Sequence, residues 1–575
     1  MSPLPEPQSE MAAPPDAPER AMPSAAGKKP RGSLRGLIDV GICLYVAVIL
    51  FRTFEIEGYI ISTGSMAPHL LGFHKRVVCP TCGYEFPHGI PVDETGTAAD
   101  TTDDASRERP GDVRCPNCGE DRIDVRSVPP NHGDQLLVQK NVYEFREPRR
   151  WEVVVLKSPS RPTPFVKRIV GLPNESVQIR DGDIYVNGEI CRKSLALQRA
   201  ARILVNDDDE LPDDPPEGRS CWLIEDPKHG WSEKGHAFVF NPEEASGPAS
   251  NHTKSASAAD DKFAWIAFRR WVRQGGRFRT TVPIANPKPV VHLERNAFPQ
   301  VRYDQAARTL EATGAVGRAS EERLLSMNSD PDTRKAIEEL CAESHMAPIT
   351  DDYGYNRANA GIISLPVRDL LLECEVTLGS RNGTAAFEIS DGRLTFRLAL
   401  DREKKEARLE FVGQREPVCA AALTTEQLSK PLRLEFSTFD RQVLAAIDGA
   451  LLFPPWIAPT DQAELPRVPV RIGARGGTVE ISRLRVYRDI YYTRGQGRNA
   501  SDEPLQLGPD EFFVLGDNSP VSNDGRSWAQ PAIKRSQLIG KPFIVHLPSR
   551  PGRISLGSFT RYIRVPDFSR IRYIR

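Results

Sequence analysis

From Leu37 to Phe54 the chain carries 18 residues that are almost wholly apolar, with their only charges, Asp39 and Arg52, near the two ends. As a helix such a run reaches about 27 Å, roughly the thickness of a bilayer's hydrocarbon core. Lys28, Lys29, Arg31 and Arg35 precede it, whereas Glu55 and Glu57 follow. That asymmetry predicts a single transmembrane helix over 36–54, with the N-terminus in the cytoplasm and everything after it on the outer, periplasmic face of the cytoplasmic membrane. No small-x-small cleavage site follows the run, which argues against a removed signal peptide. Residues 1–35 are rich in Pro, Ala and Ser and lack the large apolar side chains that would offset the entropy of ordering them, so they read as a disordered arm.

The remaining chain is too long for one hydrophobic core: 575 residues imply several domains. A net charge of -1 excludes a global polyanion-binding surface, and no nucleic-acid partner is expected.

Just past the apolar run stands Thr63-Gly64-Ser65-Met66-Ala67-Pro68. Gly64 relaxes the backbone and Pro68 stiffens the exit of a turn in which a backbone N–H can point at the atom a hydroxyl attacks. A nucleophilic hydroxyl needs a base. His69, four residues on in a turning loop, would rarely face Ser65, and no Ser/His/Asp arrangement is visible. A lysine can serve instead. Trp151 to Val170 contains β-branched runs that read as paired strands, and within them lies Phe165-Val166-Lys167-Arg168. Partial desolvation there would disfavour the ammonium and leave a neutral amine able to take the Ser65 proton.

Together, Ser-Met-x-Pro after a membrane anchor and Lys-Arg-x-Val-Gly-Leu-Pro (Lys167 to Pro173) resemble the serine and lysine motifs of bacterial type I signal peptidases, the Ser/Lys family that removes signal peptides from exported proteins. The resemblance implies a β-fold catalytic core, no catalytic cofactor, Ser65 as nucleophile, Lys167 as general base, an oxyanion site at Thr63 and the Ser65 amide, and a structural Arg168. Gly133 to Lys140 resembles the strand that follows the nucleophile. Leu515-Gly516-Asp517-Asn518 and Ser522 to Arg526 resemble the last motif, which implies that Ser522 contacts the lysine amine while Asp524 and Arg526 hold the site together. Ser62, His69, Ser519, Pro520 and Gly525 depart from the family pattern. Tyr59, Ile61, Met66, Leu70, Phe165 and Val166 are implied as the pockets for small side chains of an extended signal peptide added to a sheet edge.

Two Cys-Pro-x-Cys-Gly knuckles, Cys79/Cys82 and Cys115/Cys118, flank a 32-residue spacer whose stretch Asp93 to Asp112 is acidic and of low complexity. Two thiolates on each tight turn predict a zinc ribbon with a closed, structural zinc; two disulfides are the competing reading in an oxidising compartment. The other cysteines beyond the apolar run, Cys191, Cys221, Cys341, Cys374 and Cys419, have no motif spacing.

The last motif arrives about three hundred residues late, so residues 195–500 are expected to form an inserted domain. Its second half alternates with period two over Leu371–Leu378, Ala385–Ile389, Leu394–Leu400, Ala407–Val412, Leu432–Ser437, Gln442–Ile447, Val468–Ile472 and Thr478–Tyr487, which indicates an antiparallel β-sandwich of jelly-roll type. The order of its final strands is similar to concanavalin-like lectin sandwiches, which makes a glycan or a protein its candidate ligand. The full expectation is a mainly β protein: arm 1–35, transmembrane helix 36–54, catalytic core in three pieces (55–78, 128–194 and 501–550), zinc ribbon 79–127, sandwich 195–500 and a basic tail 551–575 that is solvated or faces lipid. Its expected activity is signal-peptide cleavage at the membrane. The alternative is an inactive anchored platform that presents a lectin-like sandwich.

Overall fold

The computed structural model describes residues 34–92, 113–157, 163–210, 221–244, 263–273, 279–286, 288–289, 291–293, 298–357, 364–379, 382–414, 416–459, 465–494, 497–556 and 559–574. The N-terminal arm up to residue 33, the acidic spacer and much of the Pro/Asp-rich and Ala/Ser-rich loops lie outside the described residues. The chain divides into two units, Met1–Glu55 and Ile56–Arg575. In the first, a helix runs from Leu34 to Phe54 and exposes Leu37, Ile38, Val40 and Leu44. Among the described residues no helix is long and apolar enough to cross a membrane.

The second unit is almost entirely β. An eight-stranded antiparallel sheet gathers pieces from both ends of the chain in the order Ile56–Ile60, Gln135–Gln139, Leu538–Val545, Val153–Leu156, Phe165–Gly171, Glu511–Leu515 and Ala532–Lys534, with Arg572–Tyr573 added beside Leu538–Val545. The apolar runs around Val154 and Ile169 are buried on both faces, which is why they read as continuous rather than alternating. A four-stranded sheet continues the core through Ser176–Arg180 and Asp183–Val186, and the turn at Asn187 and Gly188 has positive φ at both residues. Glycine takes that backbone freely and asparagine tolerates it, as two-residue hairpins require.

The insertion is a sandwich of a nine-stranded and a seven-stranded antiparallel sheet. Its core interleaves Phe387, Leu398 and Ile472 from the smaller sheet with Leu372, Leu434, Phe436 and Ile481 from the larger. Strands from the first half of the insertion, Trp222–Ile224, Ala237–Phe240 and Ala264–Phe268, belong to these sheets as well. The sequence pattern missed a further body between them. Three strands, Arg279–Pro283, Val301–Asp304 and Thr309–Thr313, pack with the helices Arg318–Met327 and Pro331–Ser344 around Leu310, Leu324, Ile337 and Leu340. The second helix opens on Asp330, whose carboxylate accepts from Thr333 N, followed by proline at the first helical position.

The basic C-terminus is neither free nor only solvated. Ser549–Leu556 and Phe559–Pro566 form a hairpin, and Arg572 donates to His69 O and Asp134 Oδ2 at 2.6 and 2.8 Å.

Candidate active site

Ser65 sits in the turn leaving the strand Ile56–Ile60. Buried Met66 and Ala67 pin the turn from below, and Leu71 N donates to Asp134 Oδ2 at 3.0 Å. Lys167 belongs to a central strand, paired with Val154 on one side, while its neighbours Arg168 and Ile169 pair with Leu515 and Val514 on the other. Its side chain is buried, and Nζ lies 2.7 Å from Ser65 Oγ. Burial lowers the Lys167 pKa from its ordinary 10.5 to about 8; the nearby Asp524 and Asp517 carboxylates pull the other way and Arg526 assists the burial. An amine with that pKa is partly neutral near physiological pH and is in contact with a hydroxyl.

Two buried ion pairs frame this contact. Arg168 grips Asp517 with Nε and Nη2 at 2.7 and 2.6 Å and donates to Trp151 O at 2.8 Å. Burial alone would raise the Asp517 pKa, but the guanidinium holds it well below the usual carboxylate range. Arg526 meets Asp524 with Nε and Nη2 at 2.8 Å each and also reaches Ser519 Oγ and O. Asp524 in turn accepts Gly516 N at 2.9 Å. Ser519 is one of the residues that departs from the family pattern, and here it serves as an arginine acceptor. His69 turns away from Ser65: Nδ1 lies 2.9 Å from Asp517 Oδ2 and Nε2 lies 3.3 Å from Arg202 O.

Ser522 stands beside the turn. A Cβ on Gly516 would collide with Ser522 Oγ and with Ser65 O, so glycine is what lets the two segments meet. Ser522 Oγ is buried with no hydrogen-bond partner, and it makes no bond to Lys167. Thr63 is exposed at the mouth of the turn. Tyr59, Ile61, Met66, Leu70 and Val166 form one apolar cluster with Val153 and Val155, against which Ile574, just past the last strand, packs. Phe165 does not join it; its ring stacks on Trp528 at 6.0 Å and lies 5.4 Å from Lys167 Nζ.

Sequence reasoning missed Tyr353, Tyr355 and Asn356 and gave no role to Asn518 of the last motif; all four hold the turn. Asn518 donates through Nδ2 to Gly64 O at 3.0 Å and through its backbone N–H to Ser65 O at 3.0 Å. Its side chain exchanges hydrogen bonds with Asn356 at 2.8 Å each way. Tyr353 donates its hydroxyl to Asp517 O, and the hydroxyl of Tyr355 donates to Phe73 O. The Tyr355 ring lies where a Cβ on Gly64 or Gly89 would be. The glycine is therefore required by a close approach of that ring rather than by backbone strain. Tyr353, Tyr355 and Asn356 come from Asp351-Asp352-Tyr353-Gly354-Tyr355-Asn356, within the insertion, whose cluster of aromatics and glycine between a helix and a strand was the available signal. A trans peptide points its C=O and N–H in opposite directions, and the Gly64–Ser65 bond is trans. Fixing Gly64 O on Asn518 and on Ala67 N therefore aims the Ser65 N–H away from Asn518.

The four motif cysteines converge on one another. Cys79 Sγ lies 3.6 Å from Cys118 Sγ and Cys82 Sγ lies 3.7 Å from Cys115 Sγ; all four sulfurs are buried within 4.8 Å of one another and none is disulfide-bonded. Sulfurs at about 2.3 Å from a tetrahedral centre would be about 3.8 Å apart, whereas a disulfide needs about 2.05 Å, so the cluster fits a four-thiolate metal site.

Residues 122–246 match the family described as signal peptidase, peptidase S26, a stretch that contains Lys167 and Arg168 but neither Ser65 nor Ser522. A probable signal peptidase I-2 of Synechocystis sp. is 40% identical over 63 residues, 10% of this chain and 29% of that protein. Signal peptidase I V of Bacillus subtilis is 37% identical over 57 residues, 10% of this chain and 33% of that protein. The chain thus spans about a third of the length of the curated relatives it matches. A carbohydrate binding module, CBM66, from Bacillus subtilis covers 22% of this chain and 76% of its own at 10% identity, with a TM-score of 0.15, too low to bear on the fold or the function.

Gly64→Ala should destabilise the folded protein by about 1–3 kcal/mol, the usual cost of overpacking, because the new methyl must displace the Tyr355 ring. In a Tyr355→Ala background the Gly64→Ala substitution should be nearly neutral, as a double-mutant cycle would show. Denaturant unfolding reads both, and a Gly64→Ala protein as stable as the parent would refute the packing argument.

Proposed function

We propose that this chain is a Ser/Lys endopeptidase that removes signal peptides from exported proteins at the membrane surface. The observation that carries the reading is the 2.7 Å approach of a buried Lys167 amine to Ser65 Oγ, from segments about a hundred residues apart. The match of residues 122–246 to the signal peptidase family supports the substrate class.

In this mechanism the neutral Lys167 Nζ accepts the Ser65 proton as Oγ attacks the carbonyl carbon of the scissile bond. The resulting oxyanion is met by the Ser65 N–H, whose direction the Gly64 carbonyl fixes, and by the Thr63 hydroxyl. As the tetrahedral intermediate collapses, the Lys167 ammonium gives its proton to the departing amine, leaving an acyl ester on Ser65. Water then attacks the ester while Lys167 takes its proton, and the second collapse returns that proton to Ser65. Arg168 and Arg526 occupy Asp517 and Asp524, so neither carboxylate is free to claim the amine. The Ser522 hydroxyl, buried beside the turn, is the group assigned to orienting Lys167. The apolar cluster of Tyr59, Ile61, Met66, Leu70 and Val166 receives the small side chains before the cut, with Phe165 at its edge.

The helix Leu34–Phe54, with its exposed apolar side chains and the basic residues before it, attaches the enzyme to the bilayer with the catalytic unit on the outer face. Cys79, Cys82, Cys115 and Cys118 hold a structural zinc. Their spacing leaves no open coordination position, so zinc would supply rigidity and no chemistry.

Ser65→Ala and Lys167→Ala should each lower cleavage of a preprotein in detergent by at least about a thousandfold; near-normal turnover in either variant would sink the mechanism. For the wild type, kcat/KM should climb about tenfold per pH unit at low pH and level off above about 8, because only the deprotonated amine is a base. A profile flat from pH 6 to 9 would exclude Lys167 as that base. Metal analysis of purified protein should find about one zinc per chain, lost in Cys79→Ser. Blocked thiols without zinc would leave the disulfide reading in its place.

A further inference from the structure

Away from the catalytic turn, four aspartates meet where the core abuts the insertion. Asp183 comes from the core strand Asp183–Val186. Asp369 precedes the sandwich strand Leu370–Leu378, Asp440 lies in the turn before Gln442–Ile447, and Asp489 follows Val479–Arg488. Carboxylate oxygens of Asp183, Asp369 and Asp440 lie within 4.8 Å of one another. Oxygens on opposite sides of a Ca²⁺ ion, each at about 2.4 Å, are about 4.8 Å apart, so three oxygens this close can share one ion.

The charge is only partly answered by protein groups. Lys193 Nζ binds Asp440 Oδ1 and Asp489 Oδ2 at 2.6 Å each, and Arg368 and Arg441 line the adjoining cavity of about 260 Å³. Against them stand Asp183, Asp369, Asp391, Asp440 and Asp489. Burial and mutual repulsion push Asp183 and Asp369 above the ordinary carboxylate range. The independent sign of a missing ligand is Thr438. It is 5% exposed and lines the same cavity, and its Oγ1 is buried without a hydrogen-bond partner. A buried hydroxyl oxygen in that state costs free energy unless something fills its coordination.

We propose that Asp183, Asp369 and Asp440, beside the buried and unpartnered Thr438 Oγ1, bind a hard divalent cation, Ca²⁺, that clamps the sandwich to the β core. Oxygen-only ligands select Ca²⁺ over zinc or copper, and a cavity of this size leaves room for the waters that complete six to eight oxygens. Trp151 ties the site to the catalytic sheet. Its ring lies 4.7 Å from Lys193 Nζ, and its carbonyl accepts from Arg168.

The test uses the full chain in detergent with zinc kept saturating, so that the cysteine site is not disturbed. Tb³⁺, a luminescent stand-in for Ca²⁺, is titrated with excitation of the aromatic side chains, among which Tyr491 lines the cavity. About one Tb³⁺ per chain should bind and be displaced by Ca²⁺, and Asp369→Asn should weaken Ca²⁺ by at least about tenfold. Thr438→Val, which keeps shape and charge, should weaken it several-fold while leaving the unfolding midpoint in Ca²⁺-free buffer unchanged. If Asp369→Asn fails to unfold cooperatively, Asp183→Asn takes its place. Absence of saturable Tb³⁺ and Ca²⁺ binding to the wild type, or undiminished Ca²⁺ affinity in a cooperatively folded aspartate variant, would overturn the proposal.

Discussion

An amine can stay close to neutrality only where water is kept away and no free carboxylate claims it, and this constraint governs the surroundings of Lys167. Both buried acids nearby, Asp517 and Asp524, are already held in two-point grips by Arg168 and Arg526. Each pair is close to neutral as a unit. Breaking either would leave an uncompensated charge next to the amine, an outcome that costs several kcal/mol in buried sites. The arginines therefore matter less for stability than for what they prevent: a carboxylate bonded to Lys167 would hold it as ammonium.

The long interruption of the core is woven into the same region. Asn117, in the second cysteine knuckle, exchanges hydrogen bonds with the backbone of Asp207 at the insertion's first strand, and Arg273 N donates to Cys118 O. Pro116 of that knuckle packs on Gly354, one residue before the Tyr355 ring that fills the space beside Gly64. The four-cysteine cluster, residues 195–500 and the serine turn thus share one packed junction inside the unit Ile56–Arg575.

Much of this was legible because it rests on local pattern. The period-two segments Leu432–Ser437 and Gln442–Ile447 coincide with the observed strands, Leu371–Leu378 starts one residue late, and Thr478–Tyr487 is displaced by one residue at both ends. Alternation survives wherever a strand has one face in the core. It failed for the α/β body around Leu310 and Ile337, whose strands are short and partly exposed and whose helices have mostly polar surfaces. At the site, the residue types around Ser65 and Lys167 could be read from motif spacing. The hold exerted by Tyr353, Tyr355, Asn356 and Asn518 could not, because it depends on segments some 160 to 450 residues apart folding to the same place. The aspartate junction was unreadable for the same reason: its members come from four separate strand ends.

The reciprocal amide pair between Asn356 and Asn518 has a further meaning for how such a chain could have been assembled. A domain spliced into a loop is ordinarily cargo, free to be lost or exchanged without touching its host. Here Asn356 supplies half of the amide pair that steadies Asn518 on the Gly64 carbonyl, so residues 195–500 reach into the serine turn itself. Excising that region would leave Ser65 and Lys167 in the sequence and remove the amide that pairs with Asn518.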